Sequence, residues 1–256
     1  MLGAIIGDIV GSVYEKRNYR GKDFEPLFHA NVRYTDDTVC TVAVADALLH
    51  RKKPTQALQE WCRRYEDTGG WGQRFALWIA DDEPKPYQSW GNGAAMRISA
   101  VGFLARTEQE AIDWADYFTL VTHDHEDAIA AARAVSLAIY WAKHQVDATE
   151  IARRLIDKFG YDLNQTPDEI RPTYKHTESS SGSVPQAIVC ALQSTSYEDA
   201  LRNAVSIGGD SDTIAAIAGS IAEAIHGIPE EIRARGVSYL AEDMKAVVQA
   251  FYSVKL

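Results

Sequence analysis

Cysteine is scarce in this chain. Cys40, Cys62 and Cys190 are three thiols in 256 residues, odd in number, scattered in sequence and in no C-x-x-C pair. That excludes a disulfide framework and reads as reduced thiols, so a cytoplasmic location is expected. Positive charge is short as well: 26 Lys and Arg stand against 36 Asp and Glu, a formal net charge of -10. Long nucleic acid and anionic membranes are poor partners for such a surface, because a phosphate array has to be met by clustered cations. A few arginines would still serve one small phosphorylated ligand. No stretch is long and apolar enough to span a bilayer, and the opening MLGAIIGDIVGSVYEKR has no basic start and is broken by Asp8, unlike a signal peptide. Strand-like alternation is nearly absent too; only HANVRYT, residues 29–35, offers a short extended piece.

What the chain does have is helical periodicity. Hydrophobic residues make up 46% of it, enough for one large core. In residues 125–145, Ile129, Ala132, Val135, Ile139 and Ala142 recur at helical spacing. Segments 54–66, 93–105, 108–120, 147–159, 184–193, 197–207, 213–226 and 237–252 read the same way. Breakers lie between them at 68–72, 81–93, 163–183 and 227–231. Of these, 163–183 is a long irregular stretch of the kind that often carries function. The pattern predicts one all-α domain over residues 1–256.

Two places stand out. YTDDT, residues 34–38, and GGDSDT, residues 208–213, each put two aspartates and a threonine directly before a run of small apolar residues. Small side chains let helices approach closely, which points to central helices. Taken singly, either corner reads as a helix N-cap. Together they supply hard oxygen donors, and if the two helix starts meet, four carboxylates share a pocket and require a cation. Without cysteine or an obligatory histidine, that donor set suits Mg²⁺, Mn²⁺ or Ca²⁺ rather than zinc. Gly3, Gly7 and Gly11 form a one-per-turn stripe for close packing, in a helix expected to run on to Glu15. There a carboxylate opposes the helix dipole, so it either has a role or pairs with Lys16, Arg17 or Arg20 in solvent.

Six segments in order, GAIIGDIVGSVYE, YTDDT, SWGNGAAMR, VTHDHEDA, SSSGSVPQA and GGDSDTIAAIAG, resemble the ADP-ribosylglycohydrolase family. The resemblance implies an orthogonal, multi-helix all-α domain with a central dinuclear metal site, holding two Mg²⁺ ions or sometimes Mn²⁺. It implies metal ligands at Thr35, Asp36, Asp37, Asp210, Asp212 and Thr213, and a mobile or basic carboxylate at Glu15 with Asp36 and Asp37 sharing catalytic duty. Substrate contacts would fall on Gly91, Asn92 and Gly93, on His123, and on Ser181, Gly182 and Ser183. The implied reaction is metal-dependent hydrolysis at C1″ of an ADP-ribosyl group carried by a protein side chain or a small acceptor. Ser89 stands where arginine-directed members carry an aspartate, a likeness to the serine-directed branch. Trp90 and Tyr174 are candidates to stack on the adenine. Two other readings stay open. HDHED, residues 123–127, resembles the metal pair of HD-type phosphohydrolases, and relatives of this fold serve as crystallins, so a non-catalytic ADP-ribose binder is possible.

Overall fold

The glycine stripe sets the first packing of the fold. In the computed structural model, which describes residues 1–254, the first helix, α1 (Leu2–Gly11), lies backbone to backbone along a late helix, α13 (Ser211–His226). A Cβ added at Gly7 would stand 2.0 Å from the carbonyl oxygen of Ala215, and one at Gly11 would stand 2.4 Å from that of Ser211. No side chain fits there. Glu223 of α13 closes the far end of the contact, accepting from the Gly3 amide and from the buried Met1 amine, both at 2.7 Å.

Around this pair the chain builds an all-α domain. The early helices are α2 (Asp36–His50), α3 (Pro54–Arg64), α4 (Gln73–Ala80), α5 (Gly93–Met96) and α6 (Ser99–Leu104). Next come α7 (Glu108–Thr119), α8 (Glu126–Lys143), α9 (Ala148–Phe159), α10 (Pro167–Ile170), α11 (Ser180–Leu192) and α12 (Tyr197–Ser206). After α13 the chain continues through α14 (Glu230–Val237) and α15 (Glu242–Ser253). One continuous hydrophobic core draws on nearly all of them. As their alanine-rich sequences predict, α2 and α13 are central: Asp37–Ala47 and Ser211–Glu223 are buried without interruption. Cys40 of α2 and Cys62 of α3, far apart in sequence, are buried neighbours with sulfurs 3.8 Å apart, and all three cysteines are free thiols.

Several boundaries differ from the sequence reading. α1 stops at Gly11, where it meets α13, so Glu15 is not at a helix end but begins a separate 3-10 turn, Glu15–Arg17. HANVRYT forms no strand; among the described residues the sole β-type pairing is an isolated bridge between Gly91 and Ser179. The 93–105 helix is two short ones, broken at Arg97 and Ile98, both of whose side chains are buried. The 163–183 stretch contains α10 and the first turn of α11, which starts at Ser180 because Ser179 accepts from the Gly182 amide at 3.1 Å. GIPEE opens α14 rather than merely breaking the chain, since a proline at the cap and two glutamates in the first turn are helix-start chemistry.

Gly7→Ala is expected to cost about 3 kcal/mol or more, because its methyl meets rigid backbone. Gly72→Ala, with nothing within 4 Å of the added carbon, is expected to leave the midpoint unchanged. Urea unfolding of the two variants checks both.

Candidate functional site

Asp8 is the residue on which the site is built. It sits in the middle of α1, fully buried, and faces the start of α2. Its carboxylate accepts from the Thr35 amide at 2.9 Å, the Thr35 hydroxyl at 2.7 Å and the Thr38 amide at 3.1 Å, and also from the Thr38 hydroxyl. Burial pushes its pKa up to about 6 against the pull of these four bonds. Thr35 completes the cap by accepting from the Asp37 amide at 3.3 Å. The Thr35, Asp37 and Thr38 amides of this corner are thus served by Asp8 and Thr35. Asp36 and Asp37 are not needed as caps, and Asp37 Oδ2 is buried without any hydrogen-bond partner.

The second corner is shaped by Gly208 and Gly209, both at φ 76°, a backbone turn that favours glycine. Asp210, at the N-cap of α13, does not cap it with its side chain. Its Oδ2 instead accepts from Asn92 Nδ2 at 2.7 Å, while Asp212 Oδ1 accepts from the Thr213 amide at 3.0 Å. The turn carrying Glu15 is tied to the same corner, since Asn18 Oδ1 accepts from the Gly209 amide at 3.0 Å.

The two corners share one electrostatic field. Burial, then the neighbouring carboxylates Asp8, Asp210 and Glu15, hold Asp36 up at about 7. Asp37 is driven well above the carboxylate range by burial and then by Asp36, Asp212, Asp8 and Asp210. Asp212 is raised for the same reasons, burial first and Asp210 next. So many mutually raised acids at two helix starts form a site that strongly favours a cation. Hard oxygen donors and the unpartnered Asp37 oxygen fit a divalent ion of the Mg²⁺ type. Among the described residues no three His, Cys, Asp or Glu groups converge as a ligand cluster, so such an ion would draw on the threonine hydroxyls as well.

Both corners open on one cavity of about 870 Å³, with Asp8 behind its wall. Its wall includes Glu15, Thr35, Asp36, Asp37, Asp210, Asp212 and Thr213, together with Gly91, Asn92, Gly93 and His123. Ser181, Gly182 and Ser183 stand off that wall. The Gly182 amide is spent on the Ser179 cap, and Ser183 works from behind, accepting from Asn92 Nδ2 at 3.1 Å. Trp90 lines the cavity and is 53% exposed, whereas Tyr174 lies off it, buried under Gly209. HDHED is a helix start rather than a metal pair: His125 accepts from the Asp127 amide at 3.2 Å, and Asp124 accepts from the Gln88 amide at 2.6 Å.

Three contributors escaped the sequence reading. Asp8 was signalled only by a charge inside an apolar helix. Gly70, in the breaker at 68–72, lies so close over Asp36 that a Cβ would stand 2.1 Å from Oδ1; a doubled glycine was its signal. Cations also line the wall of this acidic protein, Lys16, Arg17, Arg33, Arg74 and Arg97, and no local pattern marks them.

The chain is similar to known proteins over almost its whole length. The ADP-ribosylglycohydrolase family model matches residues 1–255. The ADP-ribosylarginine hydrolase Tri1 of Pseudomonas putida is 25% identical, over 89% of this chain and 70% of that protein. The ADP-ribosylhydrolase ARH3 of Bos taurus is 25% identical, over 90% of this chain and 84% of its own length. A solved structure titled ADP-ribosylglycohydrolase-related protein complex superposes with a TM-score of 0.69 at 22% identity, covering 98% of this chain and 96% of that one. That likeness speaks for the fold.

Asp8→Ala relieves some repulsion on Asp36 and Asp37 but strands four buried donors at about 1–3 kcal/mol each, so the donors decide the sign. A loss of about 3 kcal/mol or more is expected in urea unfolding. Asp8→Asn, which keeps one acceptor oxygen, is expected to lose less.

Proposed function

Since this chain belongs to the ADP-ribosylglycohydrolase family, we propose that it hydrolyses the glycosidic bond at C1″ of an ADP-ribosyl group carried by a protein side chain or a small acceptor. The observation that carries this reading is the meeting of two acidic helix starts, from α2 and α13, at one cavity floor, tied by Asn92 to a glycine loop.

Thr35, Asp36 and Asp37 from one corner and Asp210, Asp212 and Thr213 from the other would hold the divalent ions, two Mg²⁺ or alternatively Mn²⁺. Such an ion, when bound, lowers the pKa of a water and offsets charge as the glycosidic bond breaks. The protein's own groups do the rest. The acids fix the distal ribose through its hydroxyls and hold C1″ in place. Asn92 keeps Asp210 turned toward that position. Gly91 and Gly93 let the backbone approach a diphosphate without side chains in the way. Arg74 and Arg97 supply positive charge along the same wall.

In the reaction the bond from C1″ to the acceptor atom breaks with its electron pair leaving on the acceptor, through an oxocarbenium-like state. A water oxygen bonds to C1″, its proton passes to a carboxylate, and that carboxylate returns a proton to the departed acceptor, which restores the site and balances the step. The products are ADP-ribose and the unmodified acceptor. Glu15, standing on its own short turn at the cavity wall, is the carboxylate suited to take the proton, with Asp36 and Asp37 occupied chiefly in ligation.

The test is release of ADP-ribose from serine-linked and arginine-linked ADP-ribosyl peptides with Mg²⁺, with Mn²⁺ and with chelator. Release from one peptide is expected, abolished by chelator and reduced by about 10²-fold or more in Asp212→Ala and Asp36→Ala. Added Mg²⁺ or Mn²⁺ should also raise the melting midpoint of the wild type and not of Asp212→Ala. Chelator-insensitive release would remove the metal from the mechanism. ADP-ribose binding without turnover of either peptide or of a small ADP-ribosyl conjugate would favour a non-catalytic binder.

A further inference from the structure

Arg97 is a buried cation with no acid beside it. Its side chain is among the largest fully buried ones, it lines the cavity, and among the described residues it joins no ion pair. Its Nη2 donates to the Phe118 carbonyl at 3.2 Å and to the Thr122 hydroxyl oxygen at 2.7 Å, and its Nε has no partner. The Thr122 oxygen lies 2.6 Å from Nδ1 of His123. His123 in turn faces the glycine loop: a Cβ on Gly93 would stand 3.3 Å from its Nε2, and one on Gly91 would stand 3.9 Å away.

The direction of the middle bond follows from acceptor counting. The Thr122 hydroxyl proton has two places to go, His123 Nδ1 or the Thr119 carbonyl at 3.4 Å. That carbonyl already accepts from the Thr122 amide at 3.1 Å and the His123 amide at 2.9 Å, which uses both its lone pairs. The Arg97 guanidinium on the oxygen makes the hydroxyl a stronger donor. The proton therefore points at Nδ1, which must be bare, and the ring proton sits on Nε2 at the cavity wall.

We propose that Arg97 and Thr122 are positioning residues that lock His123 as a neutral imidazole donating its Nε2–H to an acceptor oxygen of the bound ligand. The role of that donor rests on the ADP-ribosyl hydrolase reading; the lock itself does not. On this assignment His123 neither takes nor gives a proton in the reaction. Burial first, and the Arg97 charge second, hold its pKa well below the usual histidine range, in keeping with the lock. The other neighbours leave that balance intact. The Tyr87 ring, 6.0 Å away, is neutral, and Asp124 turns outward to Gln88.

The decisive measurement is ¹⁵N NMR of histidine-labelled protein from about pH 5 to about pH 8, the span in which an ordinary histidine titrates. The His123 signal is assigned from its loss in His123→Gln. A protonated Nε2, a bare Nδ1 and no titration across the range are expected in the wild type. Thr122→Ser should keep that signature and Thr122→Val should lose it, with the ring either titrating or changing tautomer. A wild-type ring protonated on Nδ1, one titrating normally, or a Thr122→Val spectrum identical to wild type would overturn the lock. ADP-ribose is then added as the probe. It should shift the Nε2 signal and bind roughly tenfold more weakly to Thr122→Val, the scale of one hydrogen bond. Binding that leaves Nε2 unmoved would overturn the donor role. No binding at all would sink the hydrolase reading while the tautomer result stands.

Discussion

Everything at the site depends on how closely α1 can lie against α13. Backbone contact at Gly7 and Gly11 carries Asp8 to the one place from which its carboxylate reaches the start of α2. The same contact places Gly11 against Asp212, with the Asp212 Cα 2.6 Å from where a Cβ would be. A helix with side chains on that face would stand about 8–10 Å from its neighbour axis, the ordinary packing distance. Both corners would then lose their common reference. The glycines are a positioning device, and the acids are what they position.

That arrangement works against stability. Asp8, Asp37 and Asp212 are all buried, and loss of water raises each of them, while neighbouring acids raise Asp37 and Asp212 further. Partial compensation comes from two helix N-termini aimed at the same floor, each dipole worth about 0.3–1 kcal/mol to an acid near it. Asn92 adds a neutral donor to Asp210, and Asp8 is offset by four. Asp37 Oδ2 receives nothing. A fold selected for stability alone has no use for an unpartnered buried carboxylate oxygen, and such local conflicts gather where a ligand is to be bound.

The parts of this legible in the sequence were those with a local signature. The one-per-turn glycines, the Thr-Asp-Asp and Asp-Ser-Asp-Thr corners and the small-residue helices behind them all announce themselves within a dozen residues. That the corners meet does not follow from spacing; the resemblance implies it, and in the fold both corners line one cavity. Asp8 has no such signature, because one acid in an apolar helix carries no pattern and its partners are 27 and 30 residues away. Gly70 reads as a breaker in sequence because its neighbour, Asp36, is close only in space. The resemblance implies substrate contacts at 181–183, yet the Ser179 cap folds these residues into the first turn of α11, where the Gly182 and Ser183 amides are spent on Ser179. Local chemistry, once satisfied locally, is no longer available to a ligand.

A cluster of acids ought to repel a diphosphate, and the chain's net charge of -10 adds to the difficulty. Lys16, Arg17 and Arg33 stand on the wall near Glu15 and Thr35, and two further cations are set apart from the acids. Asn92 touches the acidic end, 2.7 Å from Asp210, while Gly93, one residue on, lies against His123 at the other. Beyond His123 stand Tyr87, with Arg74 stacked 4.9 Å from its ring centre, and the buried Arg97 that reaches Thr122. The glycine loop thus lies between the Asp210 end and the part of the wall that carries Arg74 and Arg97. On the proposed reading, a ligand with a polyol at one end and a charged diphosphate further along can lie across that loop in one direction only. The polyol hydroxyls would share an ion held by the acids, and the phosphates would meet Arg74 and Arg97. Reversed, the phosphates would fall among carboxylates in a poorly solvated site, where like-charge contact costs several kcal/mol. On that reading, the acids before the loop and Arg74 and Arg97 beyond it would set the orientation of the ligand, and with it the carbon presented to the acids.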